Sequence, residues 1–207
     1  MKLAELLEKT EYEVRQGSTD QEVKGLAYDS RKVSEGFAFA CISGSMQDGH
    51  DFIPEVVKKG AKVLVVQKEV EAPEDVTVIR VKNTRLALAL MSAAWFDYPA
   101  EKLKTIGITG TKGKTTTSYM IKSILEQGGI KTGLIGTIEV IIGDRRQDAK
   151  NTTPESYDIQ EFFAKMAEAG LSAVVLALTM DSFLVPVFFL LSIGMAIIYN
   201  LGTNFVS

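Results

Sequence analysis

The sequence predicts an α/β protein, with a small N-terminal α/β domain followed by a second domain built on a mainly parallel sheet flanked by helices. Three observations carry this reading. Short runs such as Phe37-Ala38-Phe39-Ala40-Cys41-Ile42 and Ala173-Val174-Val175-Leu176-Ala177-Leu178 have the unbroken apolar character of strands covered on both faces. Stretches with helical spacing alternate with these runs along the chain. The segment from Thr105 to Thr117 leads from an apolar, β-rich run through a glycine-rich turn into a helix-permissive stretch, the order of parts that cradles a phosphate.

In chain order, Leu3, Leu6 and Leu7 recur at helical spacing over residues 3–9 and predict a short amphipathic helix. The strand over Phe37–Ile42 follows, and then a helix capped by Asp51, with Phe52, Ile53, Val56 and Val57 inward and Gly60 closing it. Ala61-Lys62-Val63-Leu64-Val65-Val66 and Val76-Thr77-Val78-Ile79-Arg80-Val81 are further strands. Asn83 caps a helix through Leu86, Leu90, Ala94 and Trp95 to Tyr98, where Pro99 stops it, and Pro99-Ala100-Glu101-Lys102 is the expected domain boundary. The second domain opens with a strand over 103–109, the loop and its helix, which Gly128-Gly129 ends. A strand over Lys131–Thr137, a hairpin start at Ile138–Ile142 with Gly143-Asp144, and a helix with Thr153 as cap and Pro154 at its first position come next. Ile159, Phe162, Phe163 and Met166 form the inner stripe of that helix, and the 173–178 strand follows.

The loop Gly110-Thr111-Lys112-Gly113-Lys114-Thr115-Thr116 carries the chemistry. Glycines let successive backbone N–H groups converge on a phosphate, and the new helix adds its positive dipole end. Lys114 reaches the terminal phosphates, and the Thr115 hydroxyl helps hold Mg²⁺. The pattern G-x-x-x-x-G-K-[ST] is missed because Ile108 stands where its first glycine belongs, so the loop is a shortened variant. ATP with Mg²⁺ is the expected ligand, and a ligand-free glycine turn is the bland alternative.

Composition fits a water-soluble enzyme or a piece of one, with 46% hydrophobic and 24% charged residues among 207. A net charge of -3 with scattered Lys and Arg excludes a basic field for nucleic acid. The single cysteine, Cys41, excludes an internal disulfide, has no histidine partner nearby in sequence, and reads as core. The N-terminus Met1-Lys2-Leu3-Ala4-Glu5 lacks the apolar stretch of a signal peptide, so the cytoplasm is expected; a monomer is a separate expectation on which the sequence itself is silent. His50, alone in the polar Gln47-Asp48-Gly49-His50-Asp51 turn, reads as a surface residue without a role.

Several motifs together resemble those of one family. Gly110-Thr111-Lys112-Gly113-Lys114-Thr115-Thr116 is similar to the G-T-x-G-K-T-T loop of the Mur ligases, ATP-dependent amide ligases of peptidoglycan precursor synthesis. Asp29-Ser30-Arg31, Gly36, Phe37 and Phe39, then Gly44 and Asp48-Gly49 through Phe52-Ile53, resemble the N-terminal domain of those enzymes. Asn151-Thr152-Thr153-Pro154 resembles the substrate loop of the branch that adds the third amino acid of the stem peptide. The resemblance implies a uridine-nucleotide domain over residues 1–100, an incomplete P-loop central domain over 101–207, and no C-terminal amino-acid domain. It also implies that Tyr28, Ser30 and the loop residues Ser45, Met46 and Gln47 bind the uridine end of UDP-N-acetylmuramoyl-dipeptide, with Asn151, Thr152 and Thr153 on its muramoyl-peptide part. Read on its own, Asp29-Ser30-Arg31 is a solvated turn, and Thr153 is simply a helix cap.

The likeness fades after Val175. Aligned without gaps, Ala177 stands for the family's Mg²⁺-binding Glu, Thr179-Met180 for two serines, Val187 for a substrate-binding Arg, and Asn204-Phe205 for Asp-His. Thr179 alone keeps a hydroxyl for a substrate contact. The chain by itself is therefore expected not to complete the reaction. Residues 183–201 form an apolar run of membrane-spanning length. Pro186, Ser192 and Gly194 divide it, and two buried elements of the central sheet are the favoured reading, with a membrane-associated tail as the alternative. Two rival functions stay open: a nucleotide-binding module without turnover, and a tail-anchored protein with a P-loop head.

Overall fold

The computed structural model describes residues 1–44, 47–149 and 154–177. The chain divides into two compact units, Met1–Lys102 with Glu155–Ala164, and Leu103–Pro154 with the residues from Lys165 onward.

The first unit holds α1 (Leu3–Leu6), β1 (Tyr12–Gln16), β2 (Gly25–Ala27), β3 (Phe37–Ala40), α2 (Ile53–Lys58), β4 (Val63–Val66), β5 (Thr77–Val81) and α3 (Thr84–Trp95). The sheet order is β1-β5-β4-β3-β2, parallel throughout except for the antiparallel edge strand β1. Successive strand side chains point to opposite faces, and here both faces are covered. Ala38, Ala40, Val63, Val65 and Ile79 pack with Leu3, Leu6, Leu88 and Met91 of α1 and α3. Phe39, Cys41, Leu64, Val66 and Val78 pack with Ile53 and Val56 of α2 on the other side. That two-sided burial is why β3 and β4 are apolar at every position. Burial also pushes the Cys41 thiol up to about 12, which makes it an inert core group.

Helix α3 starts where the sequence puts it, because the Asn83 side chain accepts from the Arg85 and Leu86 backbone N–H groups. The start of α2 differs. Asp48, not Asp51, is the capping carboxylate: it accepts from the His50 N–H at the head of a 3-10 turn, Gly49–Phe52, that runs directly into α2. Asp48 is also the more firmly held of the two, since it takes a 2.6 Å bond from Lys68 Nζ.

The second unit holds β6 (Lys104–Ile108), α4 (Lys114–Gln127), β7 (Thr132–Ile135), β8 (Glu139–Ile142), β9 (Arg145–Asp148) and β10 (Ala173–Ala177), in the order β6-β10-β7-β8-β9. Strand β10 is fully buried and lies parallel to both β6 and β7, while β8 and β9 form an antiparallel hairpin. Leu134, Ile141 and Val175 form the core beneath Tyr119, Ile121 and Leu125 of α4.

Helix α5 (Ser156–Glu168) begins later than Pro154. The Glu155 carbonyl accepts the first helical bond, from the Ile159 N–H, so Glu155 is the cap and Pro154 precedes it. An ion pair between Glu155 and Arg85 fixes that position. The expected cap Thr153 lies outside the described residues, as do Leu178 and the apolar run 183–201. Among the described residues no helix is long and apolar enough to cross a membrane.

Candidate functional site

Two sites take shape, one in each unit. In the second unit, the C-terminal end of β6 feeds the glycine loop. Gly113 occupies the N-cap of α4 with φ 78, and a Cβ there would meet nothing within 4 Å. Glycine is thus needed for the left-handed backbone rather than for space. It also brings no capping side chain, so the first-turn amides of α4 are left for an outside acceptor. Thr111, Lys112, Gly113 and Thr116 are exposed, and Gly110, Lys114 and Thr115 are half-buried. Lys114 arches back over the loop and donates to the Gly110 carbonyl at 2.6 Å.

Sequence reasoning missed one member of this site. Thr115 Oγ1 lies 3.2 Å from Thr137 Oγ1, two residues past the C-terminal end of β7. Just beyond, Tyr119 donates to Glu139, which also pairs with Arg146 at 3.2 Å. Burial, and then this carboxylate, push the Tyr119 phenol above its ordinary value. The available signal was positional, since ligands of parallel sheets gather at the carboxyl ends of the strands. Mg²⁺ fits these residues poorly. Two hydroxyls are present, but Ala177, level with Ile108 at the end of β10, supplies no oxygen. Among the described residues no cluster of three or more His, Cys, Asp or Glu could hold a metal.

In the first unit a cavity of about 580 Å³ is lined by Tyr28, Asp29, Ser30, Gly44, Gln47 and Gly49 among others. Ser30, 9% exposed, opens a 3-10 turn capped by the Asp29 carboxylate, which accepts from the Arg31 N–H. The Arg31 guanidinium at 2.7 Å holds the Asp29 carboxyl down at about 2. The turn is therefore tied in place, not loosely solvated. Lys59 Nζ secures it from below through the Ser30 carbonyl at 2.8 Å. Tyr28 presents its ring, because its hydroxyl donates to Asp158 of α5. Burial, then Asp158, push that phenol far above its usual range. The Tyr157 ring lies 6.0 Å away, tilted. On the opposite rim, the Gly49 N–H donates to the Ile42 carbonyl at 2.8 Å, and the Gly44 N–H to the Gln47 carbonyl at 2.9 Å.

His50 is not the surface residue its polar neighbours suggest. It is 7% exposed, with Nδ1 2.5 Å from Asp48 Oδ1 and Nε2 accepting from the Gln67 backbone N–H at 3.1 Å. Partners distant in sequence drew it inward. Of the remaining expected site residues, Ser45, Met46, Asn151, Thr152, Thr153 and Thr179 lie outside the described residues.

Comparison with known proteins gives a consistent picture. The Mur ligase family catalytic domain matches residues 22–96, and the Mur ligase middle domain matches residues 108–204. A UDP-N-acetylmuramoyl-L-alanyl-D-glutamate–2,6-diaminopimelate ligase of Clostridium perfringens is 50% identical over 182 residues, covering 88% of this chain and 38% of that protein. The enzyme of the same name from Clostridium tetani is 44% identical over 185 residues, again covering 88% and 38%. A solved structure of a ligase with that name superimposes with a TM-score of 0.68 at 20% identity, covering 86% of this chain and 36% of the other, a likeness of fold. The chain thus spans 38% of the length of these curated relatives.

Proposed function

The chain belongs to the Mur ligase family, and from that premise we propose that it forms the nucleotide-binding portion of an ATP-dependent amide ligase. The acceptor is UDP-N-acetylmuramoyl-dipeptide, and the amino acid added third is 2,6-diaminopimelate, the one in the relatives' names. In the whole enzyme the dipeptide carboxylate attacks the γ-phosphorus of ATP, giving an acyl phosphate and ADP. The amine of the incoming amino acid then attacks the acyl carbon, an amide bond forms, and phosphate leaves. The uridine nucleotide lies in the cavity of the first unit, against Ser30 and the Gly44–Gly49 rim. Thr152 and Thr153 hold its sugar-peptide. ATP lies on the Gly110–Thr116 loop, where the α4 amides take phosphate oxygens and Lys114 leaves the Gly110 carbonyl to balance charge on the γ-phosphate. Soluble substrates of this kind fit a monomer acting in the cytoplasm.

The observation that carries this reading is the loop itself: an uncapped helix start behind a left-handed glycine, with a lysine arched over it. Lys114→Ala is expected to weaken ATP binding by more than about 1 kcal/mol, through loss of one charge-assisted contact. Equal affinities of the two chains by calorimetry would sink the assignment. UDP-N-acetylmuramoyl-dipeptide should independently raise the melting temperature, because it binds only the folded chain; no shift at saturating ligand would remove the cavity from the reading. Ala177 favours a second reading, a nucleotide-binding module that does not turn over, since the carboxylate expected at that strand end is missing.

A further inference from the structure

We propose that His50 is a positioning residue for the nucleotide cavity of the first unit, tying the rim that carries Gly44, Gln47 and Gly49 to the start of α3. The inference rests on the reading of that cavity as the uridine-nucleotide site, and the residues that compose it follow as an unbroken chain of hydrogen bonds. Ser43 and Asp48 pair across the base of the rim loop, and the Gly44 N–H closes it on the Gln47 carbonyl at 2.9 Å. The Asp48 carboxylate gathers four donors there: Ser43 Oγ at 3.3 Å, the His50 N–H at 3.0 Å, His50 Nδ1 at 2.5 Å and Lys68 Nζ at 2.6 Å. Lys68, and then the His50 amide, hold this carboxyl well below the usual carboxylate range.

The imidazole carries the connection onward. Its Nε2 accepts from the Gln67 backbone N–H, so that nitrogen bears no proton, and the proton on Nδ1 is donated to Asp48. The Gln67 side-chain carbonyl in turn accepts from the Thr84 N–H at 3.0 Å and the Thr84 hydroxyl at 2.6 Å, in the first turn of α3. Three segments far apart in sequence are thereby locked to one another, and the imidazole is the link with a donor on one side and an acceptor on the other. An apolar residue could fill the same volume. It would leave the Gln67 N–H without its acceptor and take one of its four donors from Asp48, and the rim backbone at Gly44, Gln47 and Gly49, which lines the cavity, would lose its tie to Gln67 and α3.

The test compares His50→Ala, His50→Gln and His50→Asn in the 207-residue chain, titrated by calorimetry with UDP-N-acetylmuramoyl-dipeptide and, separately, with ATP. The amide oxygen of Gln can replace Nε2 toward Gln67, whereas Asn can replace only Nδ1 toward Asp48. His50→Ala should bind the uridine nucleotide about tenfold more weakly, and His50→Gln should recover most of that loss. ATP affinity should stay unchanged throughout, and amide exchange at Gly44 and Gly49 should quicken in His50→Ala. If His50→Ala fails to fold, the comparison of Gln with Asn decides, with Gln expected to bind more tightly. Unchanged uridine-nucleotide affinity in His50→Ala, no advantage of Gln over Asn, or a parallel loss of ATP binding would each overturn the positioning role. Failure of the unsubstituted chain to bind the uridine nucleotide would instead remove the cavity's assignment, and this inference with it.

Discussion

Gly49→Ala is expected to destabilise the first unit by about 1–3 kcal/mol and to damage its cavity while leaving the ATP loop intact. The reason is space. A Cβ on Gly49 would sit 2.6 Å from the Ile42 nitrogen, 2.9 Å from its oxygen and 3.0 Å from the Cys41 carbonyl carbon. All three are backbone atoms at the end of β3, so no side chain can turn aside to make room. The strand end would have to move, yet it is held by the Gly49 N–H bond to Ile42 and by the Cys41 N–H bond to the Val65 carbonyl at 2.9 Å. Denaturant midpoints measure the loss directly, and the melting temperature of a unit this size should fall by several degrees, about 4–8 °C per kcal/mol. Calorimetry should show weaker binding of the uridine nucleotide and unchanged binding of ATP. A midpoint equal to that of the unsubstituted chain would mean that this close approach does not exist in solution.

Gly49 also shows what a sequence can and cannot disclose. Periodicity and caps are local, and they were legible: the all-apolar strands at 37–40 and 173–177, the Asn83 cap, the hairpin at Gly143-Asp144 and the glycine-lysine loop all declare themselves within a few residues. What escaped depends on partners far along the chain. His50 is buried because Gln67 offers it an N–H from 17 positions away. Tyr28 commits its hydroxyl to Asp158 across 130 positions, and Thr137 comes to Thr115 across 22. Nothing in the Gln47–Asp51 turn distinguishes Asp48 from Asp51 as the cap until Lys68 is folded beside it. The choice between surface and core for a lone histidine is likewise made by the fold, because burial of an imidazole is tolerated only when both nitrogens find partners.

Ala177→Glu is expected to have the largest effect of any single change, and in opposite directions with and without ligand. Ala177 is 3% exposed at the C-terminal end of β10, so an introduced carboxyl enters a buried position. Desolvation disfavours the charged form there, and the cost at neutral pH should reach several kcal/mol. The folded-state pKa of that carboxyl should be raised. The penalty should therefore be smallest below the ordinary Glu value of about 4.3, and it should grow as pH rises through the raised one. If the position is the metal-binding one that the Mur ligase pattern implies, Mg²⁺ with ATP should restore much of the lost stability, since a hard cation beside the phosphates is the partner this carboxylate lacks. Thermal unfolding at neutral pH, with and without Mg²⁺ and ATP, reads both arms. Equal destabilisation in both conditions would show that Ala177 faces the core rather than the nucleotide. The unsubstituted chain should form no amide, since it has no carboxylate at position 177, a loss that alone should slow phosphoryl transfer by about 10²-fold or more. Tripeptide product from the unsubstituted 207-residue chain, in a preparation free of host ligase, would overturn the placement of Ala177 and the mechanism built on it.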